Sequence, residues 1–302
     1  MNTEMIKLVN QIQKYDAAKR DVAAEAAVVE YGNGQFRFDD EPIRVTRTAL
    51  RQLCGLAGIP ADFFTEKMTP AERSVIFNRL IAQVGETDRL FRFSNDLMYG
   101  VVSPRYKKLD NIMLLEILQS AEDSGLGLRP VRADLHPDHS KIRLVPNVPR
   151  VGELAPMIEF INSENGLGSL QVFAGVYRWV CTNGLMVPVC DITRSGWLHL
   201  GNRDIDLPDL HVVLNRSIQF IGKMDRARTQ YLPLSARERL LTRISGALGQ
   251  KAADRIVRTA NREYHCGRTR FDLVNAVTRA AQGFPREQQT HIERYASSLL
   301  AA

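Results

Sequence analysis

Four cysteines in 302 residues are too few for a disulfide framework. No uncharged apolar run reaches the roughly 18 residues that a membrane-spanning helix needs. Residues 1–20 carry charges throughout and lack the apolar segment of a secretory signal. The phosphate-loop pattern, the G-x-G-x-x-G fingerprint and the G-x-S-x-G elbow are all missing, which excludes the commonest nucleotide-binding and hydrolase signatures. Internal repeats, low-complexity tracts and long linkers are absent too. What is present is ordinary for a globular chain, 44% hydrophobic and 25% charged. These features predict a soluble, cytoplasmic protein with free thiols and no cofactor.

Charge is unevenly placed. Residues 1–100 hold 13 cations against 14 acids, and residues 101–200 hold 10 of each. Residues 201–302 hold 17 cations against 10 acids, and almost all of those cations are arginine. Arginine forks match phosphate geometry and stack on flat rings, so this density points toward nucleic acid, or else toward a solvated helical face.

Turn and capping chemistry divides the chain. Asn33-Gly34 predicts a hairpin over residues 28–38. A short helix over 48–54 is expected to stop at Gly55 and Gly58. Thr69-Pro70-Ala71-Glu72 is a capping box opening a helix to about residue 84. Ser94-Asn95-Asp96 joins a second hairpin, and Asp110 is expected to cap a helix ending at Gly125. Strands are expected over 128–134, 141–145 and 157–161. Asn183-Gly184 is expected at the tip of a hairpin over 169–190, which places Cys190 opposite Tyr177 and excludes a Cys181–Cys190 bridge. From Leu210 the period turns helical, with Leu210, Val213, Leu214, Ser217, Ile218, Ile221 and Met224 on one face. Ser235 and Glu238 form a second capping box, and helices follow near 251–261, 271–282 and 286–300. The fold class is therefore α+β. A mixed domain of antiparallel hairpins and helices spans residues 1–205, and a basic, all-helical region spans 206–302, packed on it or forming a subdomain. Strands are expected between about 25 and 205 and not after 210.

Some polar residues invite a chemical reading. His136 and His139 offer two metal ligands, but a surface turn explains them better. His265 beside Cys266 is a poor nucleophile pair, because sequence neighbours rarely face each other. Three segments combine polar groups with turns: Ser103-Pro104-Arg105-Tyr106-Lys107, Asn162-Ser163-Glu164-Asn165-Gly166, and Arg178-Trp179 with Asn183 downstream. Arg178 interrupts an apolar strand, so it needs an acid or an anionic ligand. Glu164 is the internal candidate.

The strings VVSPRYKKLDN (101–111), INSENGLGSLQVFAGVYRWVCTNGLMVP (161–188) and DLVNAVTRAAQ (272–282) resemble, in this order, phage/plasmid-like proteins catalogued as domain of unknown function 932. The resemblance covers roughly residues 45–300. It implies a mobile-element context, and it implies no cofactor and no catalytic residue.

The expected function is nucleic-acid binding in phage or plasmid DNA metabolism, with single-stranded DNA annealing or recombination as its most concrete form. Arg105, Tyr106, Lys107, Arg178 and Trp179 would pair phosphate contacts with base stacking, and Arg226, Arg228 and Arg239 would extend the basic face. Ser103, Asn162, Glu164 and Asn183 form the polar signature cluster. Arg105, Tyr106, Glu164 and Arg178 are expected to converge on one cleft or one ion-pair network. The expected partner is single-stranded DNA, bound by a homo-oligomer away from membranes. Whether the chain is an enzyme stays open. The alternatives are an enzyme acting on a phosphorylated or nucleotide substrate and a phage structural or host-interaction protein. An open groove of positive charge would favour nucleic acid; a closed polar pocket would favour the enzyme.

Overall fold

Asn2 caps the first helix, α1 (Thr3–Ala17), by accepting the Met5 N–H. The computed structural model describes residues 2–84, 88–123, 125–147, 153–178, 183–187 and 210–300. After α1 come β1 (Lys19–Glu25), β2 (Val29–Gly32), β3 (Gln35–Phe38) and β4 (Glu41–Val45). Asn33 and Gly34 take positive φ in the turn between β2 and β3, as expected from sequence. Thr46 caps α2 (Arg47–Leu56); α3 (Ala61–Glu66), α4 (Pro70–Ala82), β5 (Asp88–Ser94) and β6 (Leu97–Val102) follow. The strand order is β1-β5-β6-β4-β3-β2, antiparallel except for the β4–β6 pair. Alternation along β5 sends Phe91 and Phe93 to one face and Arg92 to the other. The two rings meet Phe38 at 5.0 Å each and pack over Leu53, Phe64, Phe77 and Ile81 from the helices.

The second sheet is an antiparallel meander, preceded by α5 (Leu114–Asp123). Its strands are β7 (Arg129–Asp134), β8 (Ser140–Val145), β9 (Leu154–Asn162), β10 (Gln171–Arg178) and β11 (Asn183–Val187). One face is apolar: Ile142, Leu144, Ile158, Phe160, Val172 and Ala174 pack on α1, α5 and the start of α6 (Leu210–Thr229). Helices α7 (Leu234–Leu248), α8 (Gln250–Glu263), α9 (Arg270–Ala281) and α10 (Arg286–Ser298) complete the fold. They share a core with α6 and with Leu154 and Val176 of the sheet. Among the described residues no strand follows residue 210, beyond one isolated bridge between Tyr231 and Thr269, and no helix is long and apolar enough to cross a membrane.

The α+β arrangement and both hairpin turns before residue 100 agree with the sequence reading, as does the capping box of α4. Several local expectations need correction. The first strand starts at Lys19, before residue 25. Gly55 lies inside α2, which ends at Leu56, and Gly58 takes φ +69° just beyond it. Asp110 occupies the cap position of a short 3-10 turn but makes no cap bond, because Arg92 takes its carboxylate. Asn183-Gly184 does not form a hairpin tip: Asn183 pairs with Arg178 and Gly184 with Tyr177 inside the ladder. The joining residues 179–182 fall outside the described residues, as do Cys181 and Cys190. Ile218 is half exposed, and Phe220 fills the face assigned to it. Pro233, rather than Ser235, precedes α7 at its cap position. Cys54 and Cys266 are free thiols, and burial pushes Cys54 up to about 11.

Candidate functional site

The two sheets meet at Arg92, whose side chain is fully buried. Asp21, directly opposite on β1, accepts from Nε at 3.0 Å, and Asp110 accepts from both terminal nitrogens at 2.9 and 2.6 Å. Nη1 also donates to the Glu164 carbonyl at 2.5 Å. The rings of Tyr99 and Tyr106 lie 5.5 and 5.4 Å from the guanidinium, within cation–π range of its charge. A bulge beside Arg92 inserts Tyr99 into β6 as the extra residue, between the pairs Arg92–Gly100 and Phe93–Met98.

Glu164 is equally buried. Its Oε1 accepts from Lys19 Nζ and from the Asn111 N–H, both at 2.7 Å, and its Oε2 accepts from the Tyr15 hydroxyl at 3.0 Å. Burial pushes this carboxyl up; Lys19 opposes the shift, Asp110 adds to it, and the net direction is upward. Other polar side chains of the signature loop also bond to protein groups. Asn162 donates to the Leu109 carbonyl at 2.6 Å and to Asn111 at 3.2 Å. Asn165 accepts from Ser163 at 2.8 Å and donates to Asp138. Residues 162–165 thus form a buried joint between the sheets.

Gly100 permits that joint. A Cβ there would sit 2.9 Å from the Asn165 Cβ and 3.3 Å from its Cα, backbone that cannot swing aside. Gly100→Ala is expected to destabilise the fold by about 1–3 kcal/mol, the usual range for overpacking. A urea midpoint equal to that of the parent chain would contradict this close approach.

Of the expected site residues, Tyr106, Asn162 and Glu164 share this network. Tyr106 packs against Arg92 and is buried. Ser103 and Arg105 lie exposed in the turn before it, and Lys107 is half-buried. Arg178 does not pair with Glu164. Its Nε lies 3.0 Å from Glu153, and its ladder partner is Leu154 at the start of β9, whereas Glu164 follows the strand's end. At about 3.3 Å per residue, the length of β9 separates them. Arg228 meets the same Glu153 at 2.7 Å and lies 4.0 Å over the Phe271 ring, so it is a tether to the sheet. Arg226 and Arg239 are exposed. Trp179 lies outside the described residues, and the backbone of Asn183 belongs to β11.

Sequence reasoning missed two groups. The first is a buried ion quartet on the second face of the meander. Arg143 faces Glu159 directly across β8 and β9 and pairs with it. Glu293 of α10 lies 2.6 Å from Arg143 and 3.4 Å from Lys141. All four side chains are 2% exposed or less. The second is a cleft of about 460 Å³ between α8 and α9, lined by Arg255, Arg258, Arg262 and Arg279. Arg279 pairs with Glu263 at 3.2 Å. Arg255 donates to the Gly283 carbonyl at 3.0 Å and lies over the Phe284 ring. Arg258 and Arg262 are exposed and form no ion pair among the described residues. The spacing of Arg255, Arg258 and Arg262, three and then four residues along α8, was the available signal.

No curated protein and no solved structure matches the chain. The family match begins at Met98, within β6, so β1 to β5 lie outside it although the resemblance was expected from about residue 45. The family described as Domain of unknown function (DUF932) matches residues 98–299, more than half of the chain, and the protein belongs to it.

Proposed function

We propose that the protein binds nucleic acid through the phosphate backbone, single-stranded DNA foremost, in phage or plasmid DNA metabolism within the host cytoplasm. The arginine cleft between α8 and α9 carries this reading. Four guanidinium groups face one carboxylate there. Like charges three and four residues apart on a helix repel each other by a few tenths of a kcal/mol per pair. An anionic strand laid along the cleft relieves that repulsion, and guanidinium forks suit phosphate oxygens. Arg226 and Arg239, exposed on α6 and α7, add to the positive charge of the helical layer. Annealing or recombination by a homo-oligomer is the concrete form of this activity.

Fluorescence anisotropy with a labelled single-stranded oligonucleotide at several salt concentrations tests the reading. Counterion release makes log affinity fall linearly with log salt, by about 0.7 per phosphate contact on a single strand. The double variant Arg258→Ala/Arg262→Ala is expected to bind more weakly, with a slope flatter by about 1.4 for two lost contacts. Absence of binding at low salt, or an unchanged slope in a folded double variant, would overturn the proposal.

A further inference from the structure

A second basic cleft shares no residue with the first. Arg47, Thr48 and Arg51 of α2 face His136, Asp138 and His139 of the β7–β8 turn across about 570 Å³. Arg47 and Arg51 lie four residues apart and so on one helix face. Arg47 has a weak acid contact, 4.0 Å from Asp62 with both side chains about three-quarters exposed. Arg51 is exposed and has no ion-pair partner among the described residues. His136 Nδ1 accepts the Asp138 backbone N–H at 3.2 Å, which puts the ring proton on Nε2 and makes that nitrogen a donor. The cleft's one carboxylate, Asp138, is engaged by Asn165.

Both walls are fastened to the signature loop. Gln52, next to Arg51 on α2, donates to the Asn165 carbonyl at 2.7 Å and accepts the Val101 N–H at 2.8 Å. The opposite wall is held by Asn165 on Asp138 and by the Glu164 N–H on the Pro137 carbonyl at 2.8 Å. His139 Nε2 lies 3.3 Å from the Thr290 hydroxyl, which adds α10 to the frame. The loop that carries the family string thus sets the distance between the two arginines and the two histidines.

We propose that this cleft binds a phosphomonoester, either of a free nucleotide or of the 5′ end of a strand. Arg47 and Arg51 engage the phosphate oxygens, and His136 Nε2 supplies a further donor. A phosphomonoester carries about −1.5 to −2 near neutral pH, against −1 for a backbone diester, and two arginines against the single carboxylate of the lining favour the higher charge. The volume falls within the roughly 300–1,000 Å³ of small-molecule sites. The inference is independent of the backbone-binding proposal.

Equilibrium binding of AMP and of inorganic phosphate tests it on four chains: the parent, Arg47→Ala/Arg51→Ala, His136→Ala and Arg258→Ala/Arg262→Ala. The first pair of arginines is exposed, and equal melting temperatures establish that their loss leaves the fold intact. AMP affinity is expected to fall by about tenfold or more in Arg47→Ala/Arg51→Ala, from loss of charge-assisted bonds, to fall less in His136→Ala, and to hold in the α8 double variant. Competition with oligonucleotides of one sequence distinguishes the sources. Preferential displacement of AMP by the 5′-phosphorylated strand over the 5′-hydroxyl strand assigns a strand end; equal, weak competition by both assigns a free nucleotide. Undetectable AMP and phosphate binding, or binding that survives in Arg47→Ala/Arg51→Ala, would overturn the assignment, whether or not single-stranded DNA binds elsewhere.

Discussion

Arg92→Met is expected to cost about 3–5 kcal/mol of stability, a large share of the roughly 5–15 kcal/mol that a domain possesses. The loss comes less from the bonds themselves than from what is left behind. Asp21 and Asp110, only 12% and 14% exposed, would face each other without the cation between them. The Glu164 carbonyl would lose its donor as well. Arg92→Lys keeps the charge but cannot span both carboxylates, so it should fall between the two. Urea denaturation decides the matter, and a loss under about 1 kcal/mol for the methionine variant would contradict the joint. The same joint gives stability a pH dependence. Burial pushes the Asp21 carboxyl up, yet the bonds from Arg92 and Lys108 outweigh burial and hold it below its ordinary 3.8. Its contribution is therefore complete above 3.8 and fades as the pH falls through the lower folded value.

Glu293→Ala is expected to cost a similar amount, about 3–5 kcal/mol, because Lys141 and Arg143 would then share the single carboxylate of Glu159 in a dry interior. The telling comparison is with a chain in which the whole quartet is apolar: Lys141→Met and Arg143→Met together with Glu159→Leu and Glu293→Leu. Removing every charge also removes the desolvation penalty, so this fourfold variant should melt near the parent chain or above it. Calorimetry on both variants is the check. If the fourfold change is the more damaging, the quartet holds the sheet and α10 together by more than mutual charge compensation.

Local chemistry carried the readable part of the fold. The Asn33-Gly34 turn and the Thr69–Glu72 box depend on residues within four positions of each other, so sequence alone displays them. Asn183-Gly184 has the same turn chemistry, but a ladder with β10 absorbed it, and pairing across a sheet outweighs a dipeptide's preference. Asp110 looked like a helix cap because a cap needs only its neighbours; its actual partner lies 18 residues earlier in sequence. Arg178 interrupts an apolar strand, but so do Arg92 between Phe91 and Phe93, and Lys141 and Arg143 in β8. Those residues are the ones buried in networks, while Arg178 reaches Glu153 at a partly open rim. What the sequence withheld was which acid each cation meets, a matter of tertiary proximity across 16 to 152 positions.

The long reach of the α10 contact has a consequence for synthesis. Arg143 leaves the ribosome 150 residues before its partner Glu293. At about 5–20 residues per second, that is a wait of roughly 8–30 s. Throughout it, one face of the meander carries two cations against one acid and cannot be dried. The nascent sheet must stay wetted on that side, so its final consolidation is postponed to the arrival of the last helix. The charge on that face is matched only when α10 brings Glu293 against Lys141 and Arg143.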